Sequence, residues 1–182
     1  MCVYTQIFGT GAVLEMQLLA VLSVILGICL WVYLFRRQGI LIRPYLVPLI
    51  LWIIFGTLDI VVTAKGVFSD PSNEGFWLAR AVFEVFGGMV GPAVASVLWI
   101  SLWAGIVLLL NRFKLPFYYV ASLAVFYALA IDHFLGFSTW MTQTCGIATF
   151  ARGIISDFEV FGIIAGILVA AIHALIARKQ TI

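Results

Sequence analysis

The chain has 182 residues, of which 64% are hydrophobic and 10% are charged, and its formal net charge is +2. A soluble domain carries about 25% charged residues, so this composition excludes an ordinary soluble fold. A transmembrane barrel is also excluded, because its strands are segments of about ten residues with alternating polarity, whereas the apolar runs here are longer and uniform. Nucleic-acid binding is excluded because the basic residues form no stripe or reading motif.

We therefore predict an all-α polytopic membrane protein in which residues 1–182 form a single integral membrane domain. Apolar runs of about twenty residues are long enough to cross the bilayer as helices. The first run is longer than the apolar core of a signal peptide and lacks a positive segment before it, so we interpret it as a true span. The five predicted spans cover approximately residues 11–35, 44–64, 92–110, 116–137 and 157–177.

The stretch 75–87 lies between the second and third spans. Joined to the third span it would form a helix of about 36 residues, or about 54 Å, which exceeds the thickness of the hydrocarbon layer. Gly87, Gly88, Gly91 and Pro92 provide a break. We expect a separate interfacial or re-entrant helix at about 75–87, and a single long tilted third helix is the alternative.

The distribution of Lys and Arg predicts the orientation, because cytoplasmic loops carry an excess of these residues. One set of connections holds Arg36, Arg37, Arg43, Arg112, Lys114, Arg178 and Lys179. The other set holds Lys65, Arg80 and Arg152. We predict a multi-pass protein of the plasma (cell) membrane with its N-terminus outside and its C-terminus in the cytoplasm.

With this orientation every acidic residue falls on the outer side of the membrane. A carboxylate inside a span is energetically costly and usually faces the bundle interior or a polar cavity. Asp59 and Thr63 share one helix face because they are four residues apart. We predict an outward-facing acidic polar pocket that binds a ligand. Its candidate residues are Asp59, Thr63, Glu74, Arg80, Glu84, Asp132 and His133.

Several of these residues have a structural interpretation that stays open. Asp59 would then make one hydrogen bond to a neighbouring helix, and Arg80 and Glu84 would form an ion pair within their helix. Asp132 and His133 are adjacent, so their side chains diverge by about 100° around a helix. The sequence Ser156-x-x-Glu159 matches a capping box, which favours a structural role for Glu159.

A metal site and a disulfide are two further candidates. The chain has two histidines, so a site for a divalent metal ion would need carboxylates beside an imidazole. Its ligands would be Asp59, Glu84, Asp132 and His133. Cys2 and Cys145 both fall on the outer side, where oxidising conditions permit a disulfide.

The segment 56–110 resembles a family of small uncharacterised prokaryotic multi-span membrane proteins. It carries a helix with Asp59-x-x-x-Thr63, then Gly66 and a short loop with Glu74. The family has an Asp-x-x-x-Thr helix followed by a Glu-x-Asn-Pro loop. In this chain Glu74 is followed by Gly-Phe-Trp instead, so the Asn-Pro part is absent. The resemblance implies a shared outer polar site around Asp59, Thr63 and Glu74.

Three functions remain open. The first is binding or transport of a cation, an amine, a metal ion or another small polar ligand by the acidic pocket, although apart from His173 the inner halves of the spans offer no polar path for transport. The second is a membrane-embedded enzyme acting at the outer leaflet, with His133 or a carboxylate as acid or base. The third is an accessory or structural subunit of a larger membrane complex. The bilayer is the predicted partner, and Gly162-x-x-x-Gly166 offers a small-residue face for packing within the chain or in a homo-oligomer.

Overall fold

The computed structural model describes residues 8–74, 76–113, 117–145 and 158–179. These residues form helices and no strands, and five of the helices are long and apolar enough to span a membrane. The predicted all-α membrane fold is therefore confirmed. The five helices are α1 (Ala12–Arg37), α2 (Leu46–Val67), α3 (Trp77–Arg112), α4 (Tyr118–Cys145) and α5 (Phe158–Lys179), with short 3-10 turns at Arg43–Tyr45 and Pro71–Asn73.

Helix α3 is folded back on itself at Gly87. The backbone there has φ 75° and ψ 166°, a conformation that glycine adopts readily and other residues avoid. The Phe76 and Trp99 rings lie 5.6 Å apart, whereas a straight helix would separate these positions by about 34 Å. Residues 77–86 are thus a separate arm packed on the membrane-crossing arm 88–112. The alternative of one long tilted helix is wrong.

The bundle has two chemically different ends. Helices α1 and α3 end, and α2 begins, at the basic end, which carries Arg36, Arg37, Arg43 and Arg112. At the opposite, acidic end, α1 begins and α2 ends. The acidic residues there whose side chains are described are Glu15, Asp59, Asp70, Glu74, Glu84 and Asp132.

An aromatic core fills the half of the bundle nearer the basic end. The Trp31 ring lies 4.7 Å from the Phe126 ring and 5.4 Å from the Trp52 ring. Phe35 and Tyr45 extend the same buried cluster. Because burial of such rings supplies much of the packing free energy, this half is a tightly packed core, and the acidic residues of the spans lie towards the other end.

Helices α4 and α5 pack at very close range through glycine. A Cβ added at Gly166 would come within 2.6 Å of the Ala128 backbone nitrogen. Helix α4 also packs against α2, and α1 packs against α3 and α2. The Gly162-x-x-x-Gly166 face is therefore used inside the chain, as small residues allow in membrane helices. Helix α4 lies between α2 and α5, and it carries the histidine of the site described next.

Candidate functional site at Asp59 and His133

Asp59 on α2 and His133 on α4 form a direct contact between two membrane-spanning helices. The Asp59 Oδ2 and the His133 Nδ1 lie 2.8 Å apart. The two side chains remain 18% and 19% exposed, respectively. The pair is thus partly buried.

Small residues on both helices make room for this contact. Gly136 lies one turn after His133, and a Cβ there would come within 2.9 Å of the Asp59 Oδ1. Gly56 lies one turn before Asp59, and a Cβ there would contact the His133 ring at 3.6 Å. A side chain at position 136 would therefore press directly on the carboxylate.

Both oxygens of the Asp59 carboxylate have partners. The Thr63 hydroxyl donates to the Asp59 Oδ1 over 3.5 Å, and Oδ2 faces the imidazole. The predicted relation between Asp59 and Thr63 along one helix face is thus present. When the imidazole is neutral and donates from Nδ1, its Nε2 is an acceptor. The pair then carries a net charge of −1, and protonation of His133 would bring it to zero.

Asp132 faces a different helix from its neighbour His133. It is half-buried, and a Cβ added at Gly162 of α5 would lie 3.5 Å from the Asp132 Cβ. The two adjacent side chains diverge as helical geometry requires, with His133 towards α2 and Asp132 towards α5. Asp132 therefore contributes charge near the pair from the opposite side of α4.

Glu74 and Arg80 have local roles at the start of the folded-back arm. The Glu74 Oε1 accepts from the Phe76 backbone N–H over 2.9 Å, and the Arg80 Nε donates to the Glu74 carbonyl over 2.8 Å. Glu84 is exposed. No ion pair joins Arg80 to Glu84 within the described chain, so the intrahelical pair that the sequence left open as an alternative is not formed. The reason is that Arg80 bonds a backbone carbonyl before its own arm begins.

The predicted metal ligands do not all converge. Among the described residues no group of three or more His, Cys, Asp or Glu side chains could hold a metal ion. Of the four predicted ligands Asp59, Glu84, Asp132 and His133, the structure joins Asp59 to His133 directly. Structural zinc sites use four protein ligands and catalytic sites three, so a protein-built metal site is not formed by this set.

Two predictions lie outside the described residues. Cys2 and the side chain of Cys145 are outside them, and so is the proposed disulfide between them. The capping box is also outside, because Ser156 and the side chain of Glu159 are not described. Both remain predictions from sequence.

Gln17 is an important polar residue near the acidic end that sequence reasoning missed. It is 2% exposed, and its Nε2 donates to the Val61 carbonyl over 2.7 Å. Its Oε1 accepts from the Gly9 N–H over 3.0 Å. Gln17 therefore ties the start of the chain and α1 to α2, two residues from Asp59. The only feature of the sequence that marks Gln17 is its amide side chain within an apolar run.

A second histidine contact lies deeper in the bundle. The Tyr127 hydroxyl and the His173 Nδ1 are 2.8 Å apart, between α4 and α5. Near the basic end, the Tyr45 hydroxyl donates to Asn111, whose amide donates to Ser122 over 3.0 Å. The half of the bundle nearer the basic end is thus less apolar than predicted. These polar groups bond one another across helices and so stabilise the packing of the bundle.

An apolar groove of about 180 Å³ lies beside the Asp59–His133 pair, towards the basic end. Phe55 is one turn before Asp59, and Ala130 is about one turn before His133. The groove runs between α2 and α4 and is lined by Leu51, Phe55, Tyr127, Ala130, Ile131 and Phe134. The site therefore combines a carboxylate–imidazole pair with an adjoining apolar surface.

Comparison of the chain with known protein families, curated proteins and solved structures found no significant match.

Proposed function

We propose that this integral membrane protein binds a small organic cation, such as a protonated amine, at the Asp59–His133 pair. The observation that carries the proposal is the 2.8 Å contact between Asp59 Oδ2 and His133 Nδ1, made across two spans by side chains that stay partly exposed.

Electrostatics favours a cation at this pair. An ionised carboxylate within a span is costly, and such residues usually mark a ligand or ion site. With a neutral imidazole the pair keeps a charge of −1, and Asp132 adds acidic character on the other side of α4. A bound cation would offset this charge, whereas an anion would be repelled.

The surroundings favour an amine over a metal ion. The described residues offer no group of three metal-ligating side chains. An ammonium group needs hydrogen-bond acceptors, and the Asp59 carboxylate and the His133 Nε2 are of that kind. The adjoining apolar groove would take a hydrocarbon part of such a ligand, which a metal ion lacks.

The bias of Lys and Arg supports a location of the site on the outer side of the cell membrane. The basic end carries Arg36, Arg37, Arg43 and Arg112, and positive residues concentrate in cytoplasmic connections. The pair near the acidic end would then be open to ligands from outside.

Thermal unfolding of the purified protein in detergent tests the binding proposal. The transition midpoint is measured with increasing methylammonium, sodium or magnesium, because a ligand of the folded state raises it. We expect methylammonium to raise the midpoint of the wild type and to lose this effect in Asp59→Asn. The matched control is Glu84→Gln, which removes an exposed acid and should respond as the wild type does. An Asp59→Asn protein that responds like the control would overturn the proposal.

A membrane-embedded enzyme is the second candidate, and the orientation of His133 favours it. A carboxylate on Nδ1 holds the imidazole in the tautomer whose Nε2 accepts a proton, as a general base requires. The protein would be incubated with a membrane lipid extract, and the products followed by mass spectrometry. An enzyme would form a product that is lost in His133→Gln and retained in Glu84→Gln. Unchanged extract would leave binding as the function.

A further inference from the structure

A cleft of about 570 Å³ opens at the basic end, where α1 and α3 terminate. It is lined by Leu34, Arg37, Gln38, Ile40, Asn111 and Arg112. We propose that this cleft binds a phosphate-bearing anion of the kind carried by phospholipid headgroups. The proposal is independent of the Asp59–His133 site.

The charge of the cleft is positive and uncompensated. Arg37 and Arg112 are exposed, and neither has an acidic partner within the described chain. The segments 16–58, 85–131 and 160–182 contain no acidic residue, so the described parts of the helices supply none at this end. Guanidinium groups bind phosphate oxygens through paired hydrogen bonds, and basic pockets between spans are typical sites for anionic headgroups.

The walls of the cleft are held in place by hydrogen bonds within the protein. The Asn111 amide donates to the Val107 carbonyl and to Ser122, and its oxygen accepts from Tyr45. On the opposite wall the Gln38 N–H bonds the Leu34 carbonyl. These bonds fix Asn111 and the end of α1 before any ligand binds, which lowers the part of the ordering cost that falls on the walls of the cleft.

The cleft also has apolar lining that suits the first carbons of a lipid. Leu34 and Ile40 lie beside the polar residues. Arginines at helix C-termini are expected in any case, because they balance the helix dipole. That balance applies equally to Arg36, which is in the last turn of α1 but does not line the cleft. The cavity between Arg37 and Arg112 is the feature that the dipole does not explain.

Competition between lipids tests the proposal on the full chain in detergent. Native mass spectrometry would measure retention of short-chain phosphatidylglycerol relative to phosphatidylcholine. Arg37→Gln/Arg112→Gln is compared with Arg36→Gln/Arg43→Gln, which removes the same charge from the same end outside the cleft. We expect the preference for phosphatidylglycerol to fall about fivefold per cleft arginine and about thirtyfold for both. The control should keep most of its preference.

The source of the phosphate is distinguished by titrating inorganic phosphate against the bound lipid. Displacement of the lipid by phosphate supports a site that also takes free phosphate, and resistance to displacement supports the phospholipid headgroup as the ligand. Should the double variant fail to fold, the single variants Arg37→Gln and Arg112→Gln are measured instead. Equal loss of preference in cleft and control variants, or no preference in the wild type, would overturn the proposal.

Discussion

The Asp59 carboxylate lies directly against the backbone of Gly136. A Cβ added at this glycine would come within 2.9 Å of the Asp59 Oδ1, closer than van der Waals contact allows. Gly136 is one turn from His133 on α4, so the two residues share one face of that helix. His133 supplies the imidazole, and Gly136 leaves space for the carboxylate. The contact makes the position of Asp59 sensitive to a single methyl group.

Gly136→Ala should therefore impair cation binding more than stability. The added methyl would displace the end of a flexible side chain, while alanine favours the helix by about 1 kcal/mol. We expect methylammonium affinity to fall about tenfold, equivalent to about 1.4 kcal/mol, with little change in the unfolding midpoint without ligand. The control is Gly105→Ala, because a Cβ there meets nothing within 4 Å. Equal affinities in the two variants would show that position 136 does not constrain the site.

The sequence predicted the site residues from their spacing along single helices. The spacing of Asp59 and Thr63 and the divergence of Asp132 from His133 both follow from the angle per residue, and both are present. The meeting of Asp59 with His133 depends on the rotation of α2 against α4, which spacing along one helix does not determine. The sequence predicted the two residues as members of one polar pocket or metal site, and it did not predict their direct contact.

The points that the sequence analysis missed or left open also have physical causes. The spacing of Arg80 and Glu84 left an intrahelical ion pair open as an alternative, but Arg80 bonds the carbonyl of Glu74 because the chain turns just before the arm. Gln17 was overlooked because a neutral amide does not stand out by charge, although burial makes its hydrogen bonds essential. Three glycines and Pro92 were candidates for the break in α3, and the dihedral angles place it at Gly87.

The folded-back arm of α3 can be tested by cross-linking. Cysteines would replace Phe76 and Trp99, whose rings lie 5.6 Å apart, in a protein whose native cysteines have been changed to serine. We expect a short bifunctional maleimide to join the two positions within one chain. The control pair is Phe76→Cys with Leu109→Cys, about fifteen angstroms further along α3, which should not cross-link. A cross-link in neither pair would argue for an extended α3.

Gln17→Leu should destabilise the protein, since it removes a buried hydrogen bond between α1 and α2 and leaves the Gly9 N–H without its Gln17 acceptor. The Val61 carbonyl and the Gly9 N–H both bond the Gln17 amide, and an unsatisfied buried polar group costs about 1–3 kcal/mol. The free energy of unfolding in denaturant measures the loss. Gln38→Leu is the matched control because Gln38 is exposed, and it should change stability by less than about 0.5 kcal/mol. A similar loss in both variants would contradict the role of Gln17.

The loop after α2 should loosen at low pH. The pKa of Asp70 is held below its ordinary value of 3.8, because its carboxylate accepts hydrogen bonds from Ser72. A carboxyl group whose pKa is lower in the folded state stabilises that state above its ordinary pKa and loses the effect as pH falls through the lowered one. We expect hydrogen exchange at the Ser72 amide to accelerate below pH 3.8, relative to the intrinsic rate. Asp70→Asn should show no such pH-dependent step, and a step that persists in this variant would assign it to another group.

A double-mutant cycle distinguishes a coupled Asp59–His133 pair from two independent polar residues. Free energies of unfolding are compared for Asp59→Asn, His133→Gln and the double variant. Residues in direct contact couple by about 0.5–3 kcal/mol, so the double variant should lose less than the sum of the single losses, because each single change already breaks the 2.8 Å contact. The reference cycle pairs His133→Gln with Tyr127→Phe, six residues and about 9 Å away along α4. Since Tyr127 bonds His173 instead, the losses in free energy of unfolding from those two changes should add within about 0.5 kcal/mol.

Additivity in both cycles would mean that the carboxylate and the imidazole do not depend on each other.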